Sequence, residues 1–182
     1  MLAYPKSLLS IEARVLLCTD ERRGLPSLLF ALKGAREPTS ELDDFLTKTL
    51  ARQVEAEEAL HNADLTPRMQ MWSTQDPVTV FGAIKSGSGW DEVSRLFRWI
   101  GSRFSNCTAY RFELVAAGVS SDLAYTVGFE HSSVSIDGVP IEPYTLRVTH
   151  VYRRENGEWK IVHRHADHVP SEQSPPAEAS TT

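Results

Sequence analysis

The hydrophobic period of this chain changes once, near Tyr110, and that change constrains its fold more than any other feature. Before it, apolar residues recur every three or four positions. Leu42, Phe45, Leu46, Leu50 and Val54 form one stripe, which predicts a helix of about twenty residues. Ser40 or Thr39 can cap its start, and Asp43 and Asp44 suit its first turn. Thr66-Pro67 opens a short second helix, proline being well placed at a first helical position. Val93, Leu96, Phe97, Ile100 and Phe104 fall at i, i+3, i+4, i+7 and i+11 and predict a third helix. One short strand, Val78 to Phe81, stands among the helices and is followed by a Gly- and Ser-rich loop over 82–89. Beyond Tyr110 the period is two: Leu123, Tyr125, Val127, Phe129 and His131 alternate with Ala124, Thr126, Gly128, Glu130 and Ser132. Asp137-Gly138 and Asn156-Gly157 are strong hairpin signals. Helices first and meandering strands afterwards predict an α+β fold with an antiparallel sheet.

The chain has 182 residues, enough for one domain with trimmings. The periodic part covers 41–168. Residues 1–40 carry two short apolar patches without a sustained period, and read as a docking arm or, the preferred reading, as a loose extension with marginal local structure. Residues 169–182 are mostly Pro, Ser, Ala, Glu and Thr and read as a disordered tail. The net charge of -5 argues against nucleic-acid or acidic-membrane partners, which need a concentrated positive field. Cys18 and Cys107 lie far apart and supply neither a disulfide framework nor a metal spacing. No apolar run approaches the roughly 18–20 residues that span a bilayer, and the first residues lack a continuous signal-peptide core. A soluble, cytoplasmic protein is the expectation.

The Asn156-Gly157 turn allows a register to be written. With these two residues at the centre of a two-residue loop, Glu155 pairs with Glu158 and the pairs run backward. Tyr152 then faces Ile161, His150 faces His163, Val148 faces His165, and Trp159 sits opposite Arg154. The other face holds Thr149 with Arg164, Val151 with Val162 and Arg153 with Lys160. The first face is bulkier and more aromatic, so it is expected to point inward. His131 shares a strand face with Val127 and Phe129 and is expected to join it, whereas Glu130 alternates with Thr126 onto the outer face, solvated or at an interface.

An inward face bearing His150, His163 and His165 allows several chemistries. The imidazoles can act as general acids or bases, since they titrate near neutral pH. They can bind an anion when protonated, or ligate a metal, although no third ligand stands at an evident position. They can also line a cavity without chemistry, held by hydrogen bonds. Asp76 is a further acid at the mouth of the first strand, but an acid before proline more often serves as a turn or cap. The catalytic candidates are therefore His150, His163 and Asp76. The pocket candidates are Trp72, Tyr125, His131, Val148, Tyr152, Trp159, Ile161 and His165. No metal or cofactor is expected.

The run Leu146 to His165, with Arg153-Arg154, Asn156-Gly157, Trp159 and Val162-His163-Arg164-His165, resembles the closing hairpin of SnoaL-like domains in the nuclear transport factor 2-like superfamily. It is also similar to the association domain of calcium/calmodulin-dependent kinase II. The resemblance implies a cone in which about three helices pack on a curved sheet around a pocket, and a homodimer formed across the sheets. In the kinase association domain, pocket arginines fall at the positions of His150 and His131, so the resemblance makes any anion site here pH-dependent. Ketosteroid isomerases of the superfamily use an acid after the first strand and a Tyr on the first helix. Here Phe81-Gly82, and Phe45 with Thr49, stand instead. Superfamily dehydratases combine His and Asp with Tyr, which His150, His163, Asp76 and Tyr125 match by residue type. The expected function is a cavity protein for a small, partly apolar organic molecule, with or without turnover. The alternatives are a His-dependent isomerase, dehydratase or cyclase of a polyketide- or steroid-like substrate, and a dimeric interaction module with a vestigial pocket.

Overall fold

A computed structural model of the chain describes residues 40–170. The expected extension and tail lie outside the described residues, apart from Ser40 and residues 169–170.

The first stripe forms helix α1, Glu41–Leu60. Its start is a reciprocal cap: the Asp43 amide donates to Ser40 Oγ at 3.1 Å, and the Ser40 amide donates to Asp43 Oδ2 at 3.3 Å. Two orphan amides of the first turn are thus satisfied. The buried face runs through Phe45, Thr49, Gln53, Ala56, Glu57 and Leu60. It is rotated from the apolar stripe, because Gln53 and Glu57 find partners inside: Tyr152 Oη donates to Gln53 Oε1 at 2.6 Å, and Arg68 pairs with Glu57. Helix α2, Thr66–Met71, is short and has Pro67 in its first turn. Strand β1, Thr79–Phe81, pairs antiparallel with β2, Ser86–Ser88, inside the segment expected to be only a loop. Helix α3, Trp90–Gly101, buries Val93, Leu96 and Phe97. Phe104 does not continue its face but begins β3, Phe104–Ser120.

The remaining strands are β4 (Leu123–Ile136), β5 (Val139–Pro140), β6 (Tyr144–Glu155) and β7 (Glu158–His168). They join β1 and β2 in a seven-stranded sheet of order β2-β1-β7-β6-β4-β3, with β5 on β4. The sheet is mixed rather than wholly antiparallel, because β1 lies parallel to β7. Both predicted turns have positive φ at each central residue, 53° and 77° at Asp137 and Gly138, 51° and 84° at Asn156 and Gly157. That is the conformation of type I′ hairpins, which matches strand twist. The main core lies between the helices and β6–β7, with Phe45, Phe97, Tyr152 and Ile161 at its centre.

Two expectations about the sheet faces are corrected. Over 123–132 of β4 the buried residues are Ala124, Thr126, Gly128, Glu130 and Ser132, whereas Leu123 and Tyr125 are exposed and Val127, Phe129 and His131 half-exposed. At Gly128 no larger side chain fits, because the neighbouring strand β3 already fills the space: a Cβ there would strike the Glu113 carbonyl oxygen and come within 2.8 Å of the Phe112 ring. In the closing hairpin the register holds from Glu155↔Glu158 to Tyr152↔Ile161 and then slips by one residue. Val151 pairs with His163, His150 with Arg164 and Thr149 with His165. A bulge places one extra residue on β7, and with a side-chain period of two this exchanges faces for everything beyond it. Arg164 turns in; His163 and His165 turn out.

Candidate ligand cavity

The exchange brings Arg164 and Glu130 together inside the sheet. Arg164 Nη2 donates to Glu130 Oε2 at 2.6 Å, and both side chains are buried. Arg68 pairs with Glu57 in the same region, and its guanidinium carbon lies 4.5 Å from the Phe97 ring centroid. All four charged side chains line one cavity of about 340 Å³. Its remaining walls are largely apolar: Leu60 from α1, Trp99 and Ile100 from α3, Phe104 from β3, Ile136 from β4 and Leu146 from β6. Ile84, in the turn between β1 and β2, and Ile141, before β6, are exposed residues that also line it. Lys85 Nζ lies 3.7 Å from the centroid of Trp99, a cation–π contact at the same wall.

Burial sets the protonation of the polar lining. His61, the C-cap of α1, is depressed to about 4, chiefly by burial and further by Arg68 and Arg164, while Glu130 pulls the other way. It is therefore neutral at physiological pH. Tyr144 is raised to about 12 by burial and stays protonated. Burial works against the charge on Arg164, but Glu130 and Glu57 outweigh it and hold the guanidinium charged. Arg164 Nε, Arg68 Nε, Glu130 Oε1 and His61 Nδ1 are buried without a hydrogen-bond partner among the described residues.

The candidates from sequence are dispersed. His150 is fully buried beside Arg164 in the sheet, with neither ring nitrogen bonded, and it does not line the cavity. Burial drives its pKa well below 6.5, with smaller contributions from Arg164, Arg68 and His163. His163 lies on the outer face, where its Nδ1 meets Thr79 Oγ1 at 2.7 Å, and exposed His165 faces the same Phe81 ring. Asp76 acts as a cap, Oδ1 accepting the Trp90 amide at 2.9 Å at the start of α3. Trp72, Tyr152, Trp159 and Ile161 belong to or pack on the main core, and Val148 lies in a smaller cluster with Leu146 and Ala166. Tyr125 and His131 face outward, His131 bonding Thr145 Oγ1 at 3.0 Å and Glu113 Oε2 at 3.2 Å. None of these eleven residues lines the cavity. The polar residues that do line it, buried Glu57, His61, Arg68, Glu130 and Arg164 with Tyr144 and, more exposed, Lys85, Arg103, Glu142 and His168, were not anticipated. A readable signal existed for one of them: Glu130 shares its strand face with small residues, as an inward, crowded face requires. Among the described residues no three His, Cys, Asp or Glu side chains are grouped to hold a metal ion.

Residues 52–170 match the family model of the SnoaL-like domain. The chain belongs to the SnoaL-like family. Solved structures with the same fold accompany this match. One is a protein from Thiobacillus denitrificans described as a calcium/calmodulin-dependent protein kinase type II association domain, with a TM-score of 0.56 and 20% identity, covering 66% of this chain and 94% of that one. A nuclear transport factor 2-like superfamily protein from Salmonella enterica has a TM-score of 0.56 and 16% identity, covering 76% of this chain and 96% of its own. A protein from Streptomyces avermitilis described as a dehydratase of the same superfamily has a TM-score of 0.54 and 23% identity, covering 70% and 97%. At these identities the likeness is one of fold. No curated protein matches the chain in sequence. No helix among the described residues is long and apolar enough to cross a membrane.

Proposed function

We propose that this SnoaL-like chain binds a small, partly apolar organic molecule in the cavity between α1, α3 and the sheet. The observation that carries the reading is the combination found there: about 340 Å³ of space, apolar walls, and two buried Arg–Glu pairs among the lining residues. That volume and composition are those of a small-molecule site, mostly apolar with few polar groups to fix orientation. We also propose that two copies associate through the outward sheet face, where Leu123 and Tyr125 are exposed beside half-buried Val127 and Phe129.

Cofactor-free isomerisation, dehydration or cyclisation through His150, His163 and Asp76 has weaker support. One of the three is sealed, one faces outward and one caps a helix. Turnover in this cavity would instead fall to Glu130, Tyr144 and His61, which share its lining.

The binding reading is tested by thermal shift with a panel of amphipathic metabolites on the wild type and on Ile100→Trp, which fills the cavity. A ligand at a hundredfold excess over its Kd stabilises by about 2.7 kcal/mol, several degrees in Tm. The wild type is expected to show such a shift and the variant to lose it. Equal shifts in both proteins would place the binding elsewhere.

A further inference from the structure

The cations that line the cavity differ in what they leave open. Arg68 and Arg164 are buried and paired with Glu57 and Glu130, so neither is free to hold a second anion. Half-buried Arg103 is engaged by Asp137, its Nε donating to Oδ1 at 3.0 Å. Lys85 is exposed at the rim and has no carboxylate partner among the described residues. Its place is nevertheless fixed. The Lys85 carbonyl accepts the Gly82 amide at 2.9 Å across the β1–β2 turn, and its Nζ lies 3.7 Å from the Trp99 ring centroid. The Arg103 guanidinium carbon lies 5.0 Å from the same centroid, so one side of the rim carries two cations. Resting on the cavity reading above, we infer that the ligand is an amphipathic carboxylic acid, its carboxylate on Lys85 at the rim and its apolar body inside.

The rim also bears Glu142 and His168, both exposed. Glu142 is the group that a cationic head would seek, but Lys85 is the better prepared of the two. Lys85 is held against Trp99, whereas no hydrogen bond or ion pair among the described residues holds the Glu142 carboxylate. A group already held in place loses less freedom on binding. A cationic head would also find the Trp99 ring occupied by Lys85 and would stand beside Arg103. The interior fixes the orientation. An acid entering head first would bring its carboxylate to buried Glu57 and Glu130, and burying an uncompensated charge is costly. Leu60, Ile100, Phe104 and Leu146 receive the apolar body instead. Burial of that body supplies most of the affinity, while an exposed ion pair adds at most about fivefold and sets the preferred head group.

The test is isothermal titration of the full chain at neutral pH and low salt with three matched probes: naphthylacetate, naphthylacetamide and naphthylethylamine. The acid is expected to bind about threefold more tightly than the amide, the scale of one exposed ion pair, and more tightly still than the amine. In about 1 M sodium chloride, where charges are screened beyond about 3 Å, that preference should fade. Lys85→Gln should bring the acid's affinity down to that of the amide, and Lys85→Arg should keep the preference. An amide or amine that binds as tightly as the acid overturns the inference and leaves the cavity reading intact. A preference for the acid that survives in Lys85→Gln does the same. If none of the three binds the wild type, the cavity reading itself fails and this inference with it.

Discussion

His61 shows how one side chain couples this cavity to pH. Burial holds its folded pKa near 4, against an ordinary value of 6.5. Between those values the unfolded chain takes up a proton that the folded chain refuses. Stability is therefore lost as pH falls from about 6.5 toward about 4, and is unaffected by this group at higher pH. At pH 5 the loss from His61 amounts to about 2 kcal/mol. His150, also depressed by burial, adds a loss of the same sign. Urea unfolding at pH 7.5 and pH 5 should show the lower stability at pH 5, and His61→Gln should narrow the gap by roughly 2 kcal/mol. A gap of the same size in the variant would place the sensitivity elsewhere. His61 was not singled out from sequence, since a histidine following a helix looks the same whether it is sealed or solvated.

The strands illustrate how local sequence rules mislead when a side chain of the neighbouring strand intervenes. Apolar Tyr125, Val127 and Phe129 read as an inward face, yet the opposite face of β4 turns in, and at Gly128 no larger side chain fits because Phe112 lies across it. Gly128→Ala tests this account. The added methyl would meet the Glu113 carbonyl oxygen and the Phe112 ring, which sits 6.4 Å from His150, so β3 must shift to admit it. Overpacking of this kind costs about 1–3 kcal/mol. Chemical denaturation should register that loss, whereas a neutral substitution would mean that β3 yields freely. The closing hairpin carries the same lesson. Its type I′ turn is legible in Asn156-Gly157, but the bulge beyond Tyr152 and Ile161 has no marker, because Val162 and His163 suit a regular strand equally well.

At the scale of the whole molecule, the displaced apolar residues leave an outward sheet face with Tyr125 44% and Leu123 54% exposed. Pairing of two such faces would remove them from water, and a stable association needs about 800 Å² per partner. Tyr125→Glu places a charge in that face without touching the cavity. Light scattering should find a dimer for the wild type and a monomer for the variant, with the ligand-induced shift retained; a monomeric wild type would end the dimer proposal. The three helices and the two hairpin turns were set by local sequence: α1 with Ser40 at its cap, the Pro67 start of α2, the face of α3 as far as Ile100, and two type I′ turns, whereas β2 was not legible. These follow from periodicity and backbone chemistry acting over a few residues. Tertiary structure alone decided which strand faces look inward and which charges are buried. Arg164 and Glu130 stand 34 residues apart, and Arg68 and Glu57 stand 11 apart. A charged side chain enters an interior only when its partner does, and one bulged residue on β7 determined that Arg164, rather than His163, would face Glu130.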